Sequence, residues 1–219
     1  MPDQVRGRTD APSQNNVVIL KGFGVGGLDP RFSWDHEPRR WVLEADGDDL
    51  YVEVDGDTNY WQRTRHGRRD DNGHFLWLTV SDNFEMSVAV STDPNTQYDQ
   101  AGLMVRTSEA CWMKTSAEFE RPGRSRLGAV VTNHGWSDWS TQDVAHGDHR
   151  LRVRRAGGDV VVHAAVGSNP WSQLRVAHLT DVVEDVRVGV YACSPRGPGF
   201  TVHFRSFYIA THITADDLS

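Results

Sequence analysis

Between Trp112 and Glu120 the chain places a large or ionisable side chain at nearly every second position: Trp112, Lys114, Ser116, Glu118 and Glu120. The residues between them are Met113, Thr115, Ala117 and Phe119. Side chains alternate faces along an extended strand, so one face of this segment feeds a core. The other carries an indole, an ammonium, a hydroxyl and carboxylates in one row. Such a row can grip a saccharide or sugar-like metabolite, with an aromatic platform beside hydrogen-bonding groups. Two carboxylates beside a lysine can also run acid–base chemistry on a glycosidic bond, given suitable separation and pKa values. The plainer alternative is a Lys114–Glu118 ion pair on a solvated sheet face.

The same alternation recurs nearby. Phe84, Met86 and Val88 form an apolar parity, which leaves Glu85 and Ser87 on the other. Ala101, Leu103 and Val105 do the same, leaving Gln100, Met104 and Arg106 facing out, with Gly102 giving room. If these polar parities share one groove, Glu85, Lys114 and Glu118 meet there. An enzyme would then use Glu118 as principal acid or base, Glu85 as its partner and Lys114 to tune both. A glycosidase-like hydrolase is the enzymatic form of this expectation. A receptor would use Gln100, Arg106, Trp112 and Trp61 as ligand contacts. Ser137-Asp138-Trp139-Ser140 follows His134-Gly135-Trp136 and reads as a turn-rich rim, where Trp139 could stack on a sugar and Asp138 bind hydroxyls. An Asx turn with a tucked indole is the alternative there. Arg175, Tyr191 and His203 are further candidates from later strands.

Composition removes other classes. The formal net charge is −7 over 219 residues, which argues against nonspecific nucleic-acid or anionic-membrane partners. No stretch reaches transmembrane length. Residues 1–16 lack an apolar segment, so the reducing cytoplasm is the expected compartment. Cys111 and Cys193 form no metal-binding or disulfide framework, although pairing between the two stays open. No metal site or cofactor is expected. Asp46, Asp48, Asp49, Asp55 and Asp57 are dense but have Leu50 where a calcium loop needs an acceptor. His146-Gly147-Asp148-His149 lacks the spacing that aligns two imidazoles. Gly22, Gly24 and Gly27 match a dinucleotide fingerprint by letter, but Asp29 and Pro30 prevent the helix that motif requires. Lys114 and Lys21 are the only lysines among 23 basic residues, and lysine differs from arginine in hydration and geometry.

The elements that must hold these groups are short and extended. Alternating runs at 50–54, 74–80, 83–90, 100–106, 112–119 and 126–133 are separated by turn residues. More follow at 150–155, 160–166, 174–177, 186–191 and 200–209, and 17–20 could be a first strand. About a dozen strands at spacings of 8–15 residues predict an all-β antiparallel sandwich or barrel. Residues 1–15 read as a disordered tail, 16–212 as one domain and 213–219 as a C-terminal tail.

Several blocks carry a resemblance beyond pattern. They are Trp34 with Glu37-Pro38, Asn59-Tyr60-Trp61, Gly73-His74-Phe75, Asp82-Asn83-Phe84-Glu85, Tyr98-Asp99-Gln100-Ala101-Gly102-Leu103, Trp112 with Lys114 and Glu118, Ser137-Asp138-Trp139-Ser140, and Cys193-Ser194-Pro195. In this order they resemble the domain of unknown function 1349 family, over residues 32 to 209. The family includes a fungal regulation-of-enolase protein and is similar to concanavalin A-like jelly rolls, with two antiparallel sheets, one of them concave. The resemblance therefore implies a jelly roll with the polar parity lining the concave face. It implies no settled activity: lectin-like saccharide binding, a sugar-acting enzyme and a regulatory interaction module all stay open. Asn59-Tyr60 stands where the family pattern leads one to expect an Asp-Phe pair before Trp61.

Overall fold

The computed structural model describes residues 17–181 and 184–213. The tails expected at 1–15 and 213–219 lie outside these residues, Ile213 apart. All regular structure among them is strand. In chain order the strands are β1 (Val17–Lys21), β2 (Ser33–Asp35), β3 (Arg40–Leu43), β4 (Asp49–Asp55), β5 (Tyr60–Gln62) and β6 (Arg69–Asp71). Next come β7 (His74–Val80), β8 (Phe84–Asp93), β9 (Gln100–Arg106), β10 (Trp112–Arg121), β11 (Arg124–Asn133) and β12 (Trp136–Ala145). The last five are β13 (His149–Ala156), β14 (Asp159–Val166), β15 (Ser172–His178), β16 (Val186–Cys193) and β17 (Gly199–Thr211).

Two antiparallel sheets face each other. One runs β15-β14-β13-β8-β17-β4-β3, with β1 also pairing β17; the other runs β12-β11-β10-β9-β16-β7-β2. Between them lies one large apolar core, to which Met86, Val88, Leu151 and Val153 contribute from the first sheet and Leu103, Val105, Met113 and Val190 from the second. Non-consecutive strands at the centre of both sheets give the sandwich expected from the strand spacing.

A third element covers part of one outer face. The short hairpin β5–β6 lies on the outer face of the seven-stranded sheet and seals a second, smaller cluster: Tyr60, Phe75, Met104, Trp112, Val130, Tyr191 and Cys193. The seven-stranded sheet is thus buried on both faces at its centre. All seven residues of β9 are buried, as are the first eight of β10.

Two sequence expectations change here. Residues 136–145 are not a turn-rich rim but strand β12; the turn is only His134-Gly135, both with positive φ, as a two-residue hairpin turn needs. β12 is an edge strand with a mostly exposed side-chain pattern, so it carries no apolar alternation to read. Glu85 does have the parity expected of it, but β8 belongs to the other sheet. It pairs there with Arg154, on the face of the sandwich opposite the β5–β6 hairpin.

Candidate functional site

Register decides what meets on the outer face of the seven-stranded sheet. Antiparallel pairing aligns Gln100 with Glu118 on one side and Cys193 on the other. One step along, Gly102 lies between Ser116 and Tyr191; the next row sets Met104 beside Lys114 and Gly189, and the next sets Arg106 beside Trp112 and Arg187. Gly102 is required by close approach, since a Cβ there would lie 1.9 Å from the Thr115 carbonyl oxygen.

Lys114 and Glu118 stand four residues apart on one strand, about 13 Å along it. They form no direct ion pair, and Gln100 joins them. Lys114 Nζ donates to Gln100 Oε1 at 3.0 Å, and Gln100 Nε2 donates to Glu118 Oε2 at 3.3 Å. Gln100 Nε2 also donates to the Tyr98 carbonyl at 3.1 Å, and the Tyr191 hydroxyl donates to Gln100 Oε1 at 3.1 Å. The cation on one side and the carboxylate on the other fix the orientation of the amide. Lys114 Nζ also sits 5.3 Å from the centroid of Tyr191 and 5.9 Å from that of Trp112, facing aromatic π-density.

Burial sets the protonation of this row. Glu118 is 6% exposed, and its carboxyl is pushed up to about 7, chiefly by desolvation and against the pull of Lys114 and Arg126. Desolvation lowers the Lys114 ammonium from its ordinary range. The same cause raises the Cys193 thiol to about 12 and lifts Tyr191 well above the ordinary phenol range. Cys193 is therefore a protonated, packed thiol, and both cysteines are free. Glu118 Oε1 is buried and has no hydrogen-bond partner. A buried carboxyl oxygen left open beside a cavity is an acceptor waiting for a donor, or a donor when protonated.

That cavity is a cleft of about 190 Å³ between the sheet face and the hairpin. Lys114, Gln100 and Glu118 form its inner end. Trp61, Trp139 and Tyr98 form aromatic walls, with Trp139 edge-on to Trp61 and to Tyr98 at 6.4 Å in both cases. Asn59, Asp70, Arg65 and Arg68 line it from the hairpin, and Arg196 from the loop after β16. The hairpin is clamped down rather than loosely laid. Arg106 donates to both carboxylate oxygens of Asp71 at 2.6 and 2.7 Å, and the Gln62 amide donates to Ser137 Oγ at 2.9 Å. The Tyr60 hydroxyl donates to the Gly73 carbonyl at 2.6 Å.

Of the residues expected from sequence, the cleft brings together Gln100, Lys114, Glu118, Trp61 and Trp139. Others take different places. Trp112 is fully buried beneath Tyr60, so its ring has no face to offer a ligand. Arg106 is consumed by Asp71, and Tyr191 lies beneath the cleft, supporting Gln100. Asp138 points away from its neighbour Trp139 and pairs with Arg175 of the other sheet at 2.8 Å. His203 pairs with Asp49 and stacks on Tyr51, also on the other sheet. Glu85 is absent from the cleft for the reason given above.

Sequence reasoning missed Tyr98, Asp70 and the three arginines. Tyr98 carries a backbone signal: its φ of +77° is a left-handed conformation, which costs of order 1–3 kcal/mol in a non-glycine residue and clusters at functional sites. Buried Asp99 holds the loop that imposes it, accepting from the Asn95 and Thr96 amides and from Ser194 Oγ at 2.6 Å. Among the described residues no three His, Cys, Asp or Glu side chains gather as a metal group, and no helix is long and apolar enough to cross a membrane.

Comparison with known proteins places this geometry. The model of the family described as protein of unknown function (DUF1349) matches residues 34–212. The chain belongs to this family. Regulation of enolase protein 1 of Saccharomyces cerevisiae is 33% identical over 175 residues, covering 78% of this chain and 85% of the yeast protein. A crystal structure described as a functionally unknown protein from Saccharomyces cerevisiae superposes with a TM-score of 0.76 at 30% identity, over 84% of this chain and 98% of that one. Two more distant structures share the fold alone. The GH43 BlXynB protein from Bacillus licheniformis has a TM-score of 0.65 at 14% identity, over 88% of this chain and 39% of that one. Carbohydrate binding module CBM66 from Bacillus subtilis has a TM-score of 0.51 at 9% identity, over 83% and 96% of the two chains.

Proposed function

We propose that this protein binds a saccharide or sugar-like metabolite in the cleft between the β5–β6 hairpin and the seven-stranded sheet. The observation that carries the reading is buried Glu118, whose Oε1 has no protein hydrogen-bond partner, among the residues lining a cavity walled by Trp61, Trp139 and Tyr98. Sugar hydroxyls would serve Glu118 and Gln100, and the apolar ring face would lie on indole. The sandwich is shared with a carbohydrate binding module and a GH43 protein, which supports the reading. At about 190 Å³ the cleft is smaller than the roughly 300–1,000 Å³ typical of pockets for drug-sized ligands, so a monosaccharide suits it better than a chain.

Acid–base turnover by a Glu118–Glu85 pair loses its geometric basis, because the two lie on opposite outer faces. Glu118 with Asp70, both lining the cleft, are the carboxylates that remain for an enzyme.

The test is titration calorimetry of a monosaccharide panel against wild type, Trp139→Ala and Glu118→Gln. Trp139 is 37% exposed, so its truncation leaves the fold intact. Sugar affinity should fall about tenfold in Trp139→Ala, equivalent to about 1.4 kcal/mol. Aryl glycosides serve as the enzymatic control: binding retained in Glu118→Gln, with the aglycone release seen in wild type lost, would reassign the site to an enzyme. Silence across the panel removes the saccharide reading and leaves a regulatory role through a protein partner, which the name of the yeast relative supports.

A further inference from the structure

The charge of the cleft runs against that of the chain. Four cations line it, Arg65, Arg68, Lys114 and Arg196, against two carboxylates, Asp70 and Glu118. The whole protein carries −7. A cleft of one sign in a molecule of the other concentrates the opposite ion. The cations also come from separate segments, the β5–β6 turn, β10 and the loop after β16, so local sequence bias alone does not gather them.

Position within the cleft separates the buried Lys114–Gln100–Glu118 row from the three arginines. Glu118 lies deep, linked to Lys114 through Gln100, while Arg65, Arg68 and Arg196 are exposed around the mouth. Arg196 lies 4.6 Å over the Tyr98 ring and donates to Gln97 at 3.2 Å, which aims its guanidinium along one wall. Arg68 reaches Asp70 at 3.2 Å. The Arg65 guanidinium makes no hydrogen bond or ion pair among the described residues. Lys114 Nζ has three donors and uses one on Gln100. The inner end therefore holds a carboxyl with one unpartnered oxygen, suited to hydroxyls, and the mouth presents guanidinium groups suited to an oxyanion.

We propose that the ligand is an anionic monosaccharide, a sugar ring carrying a phosphate or a carboxylate, seated ring inward and acid outward. This rests on the saccharide reading above and specifies it. The ring hydroxyls meet Glu118 and Gln100, the ring face meets Trp139 or Trp61, and the acid group meets Arg65 and Arg196.

The experiment is titration calorimetry of full-length protein with neutral hexoses, their phosphates, their uronic acids and inorganic phosphate, at low and high salt. At least one sugar acid should bind tighter than its neutral parent by about tenfold, and raised salt should erase most of that gain. Whether phosphates or uronic acids show the gain identifies the acid group. An Arg65→Asn, Arg196→Gln double variant should bring the acid down to the affinity of the neutral sugar, while neutral sugars stay within about twofold of wild type. Asparagine tolerates the positive φ at position 65, and both side chains are exposed, so the variant keeps the fold. Neutral and acidic sugars binding equally, with no salt effect, overturns the anionic ligand and leaves the saccharide site standing. Inorganic phosphate binding as tightly as the sugar acids, with neutral sugars silent, overturns both by reducing the cleft to an anion site. Silence of every probe at roughly 10 mM also overturns both.

Discussion

Glu118 is more than nine-tenths buried, and one of its oxygens meets no protein donor. Its carboxyl at about 7 stands above the ordinary 4.5 because desolvation outweighs the attraction of Lys114 and Arg126. The consequence for stability follows from proton linkage. Below the ordinary value both folded and unfolded chains hold the proton, and the group costs nothing. As pH rises from about 4.5 to about 7, the unfolded chain releases its proton while the folded chain keeps it, so stability falls. Above that range the penalty is constant. Glu118→Gln keeps the shape of the protonated acid and cannot titrate. The stability of wild type relative to Glu118→Gln should therefore drop by about 2 kcal/mol between about pH 5 and pH 8, measured by urea unfolding. A difference that stays flat would show that Glu118 is ionised at little cost, and the open oxygen would lose its meaning. Saturating saccharide should flatten the slope as well, because hydroxyl donors stabilise the carboxylate.

The hairpin β5–β6 turns a sheet face into a cleft. It has three residues per strand and pairs only with itself, which gives it little stability of its own. Its attachment comes from Tyr60 in the small core and from the Arg106–Asp71 fork. Arg106 is 4% exposed at its side chain, so removing Asp71 strands a buried guanidinium. Asp71→Ala should cost about 2 kcal/mol. The loss should be local first: hydrogen exchange should speed up at the amides of 60–62 before those of β9 and β10, and ligand affinity should fall with it. Uniform acceleration across both sheets would mean that the hairpin is not a separate unit. Part of this element was legible beforehand, since Asn59-Tyr60-Trp61 stood out as a block. Its placement was not, because three-residue strands show no periodicity, and the aromatic partners of Tyr60 and the ion-pair partner of Asp71 lie 35 to 131 residues away in the chain. The strand β12 escaped for a related reason: an exposed edge has no apolar face to betray it.

At the scale of the whole molecule, alternation and topology answer different questions. Alternation separated core from surface correctly on β8, β9 and β10: Met86, Leu103 and Met113 are in the large core, and Glu85, Gln100 and Lys114 are not. It could not say which outer face each polar parity joins, because a sandwich has two and the pattern is identical on both. The β8–β9 connection crosses from one sheet to the other, so neighbours in sequence end on opposite sides of the molecule. Gln100, Lys114 and Glu118 stayed together because β9 and β10 are directly paired, whereas Glu85 was carried away. The apolar layer between the sheets should insulate the two faces, and additivity holds between sites with no shared partners. Glu85→Gln should accordingly leave saccharide affinity within about twofold of wild type and, as a partly exposed pair with Arg154 is weakened, cost no more than about 1 kcal/mol. Glu118→Gln in parallel should change the affinity or its pH dependence. The Glu85, Glu118 double variant should then match Glu118→Gln alone in binding and show the sum of the two single effects in stability. Coupling of the two positions in affinity would require the sheets to move relative to each other on binding, and a rigid sandwich would be the wrong description.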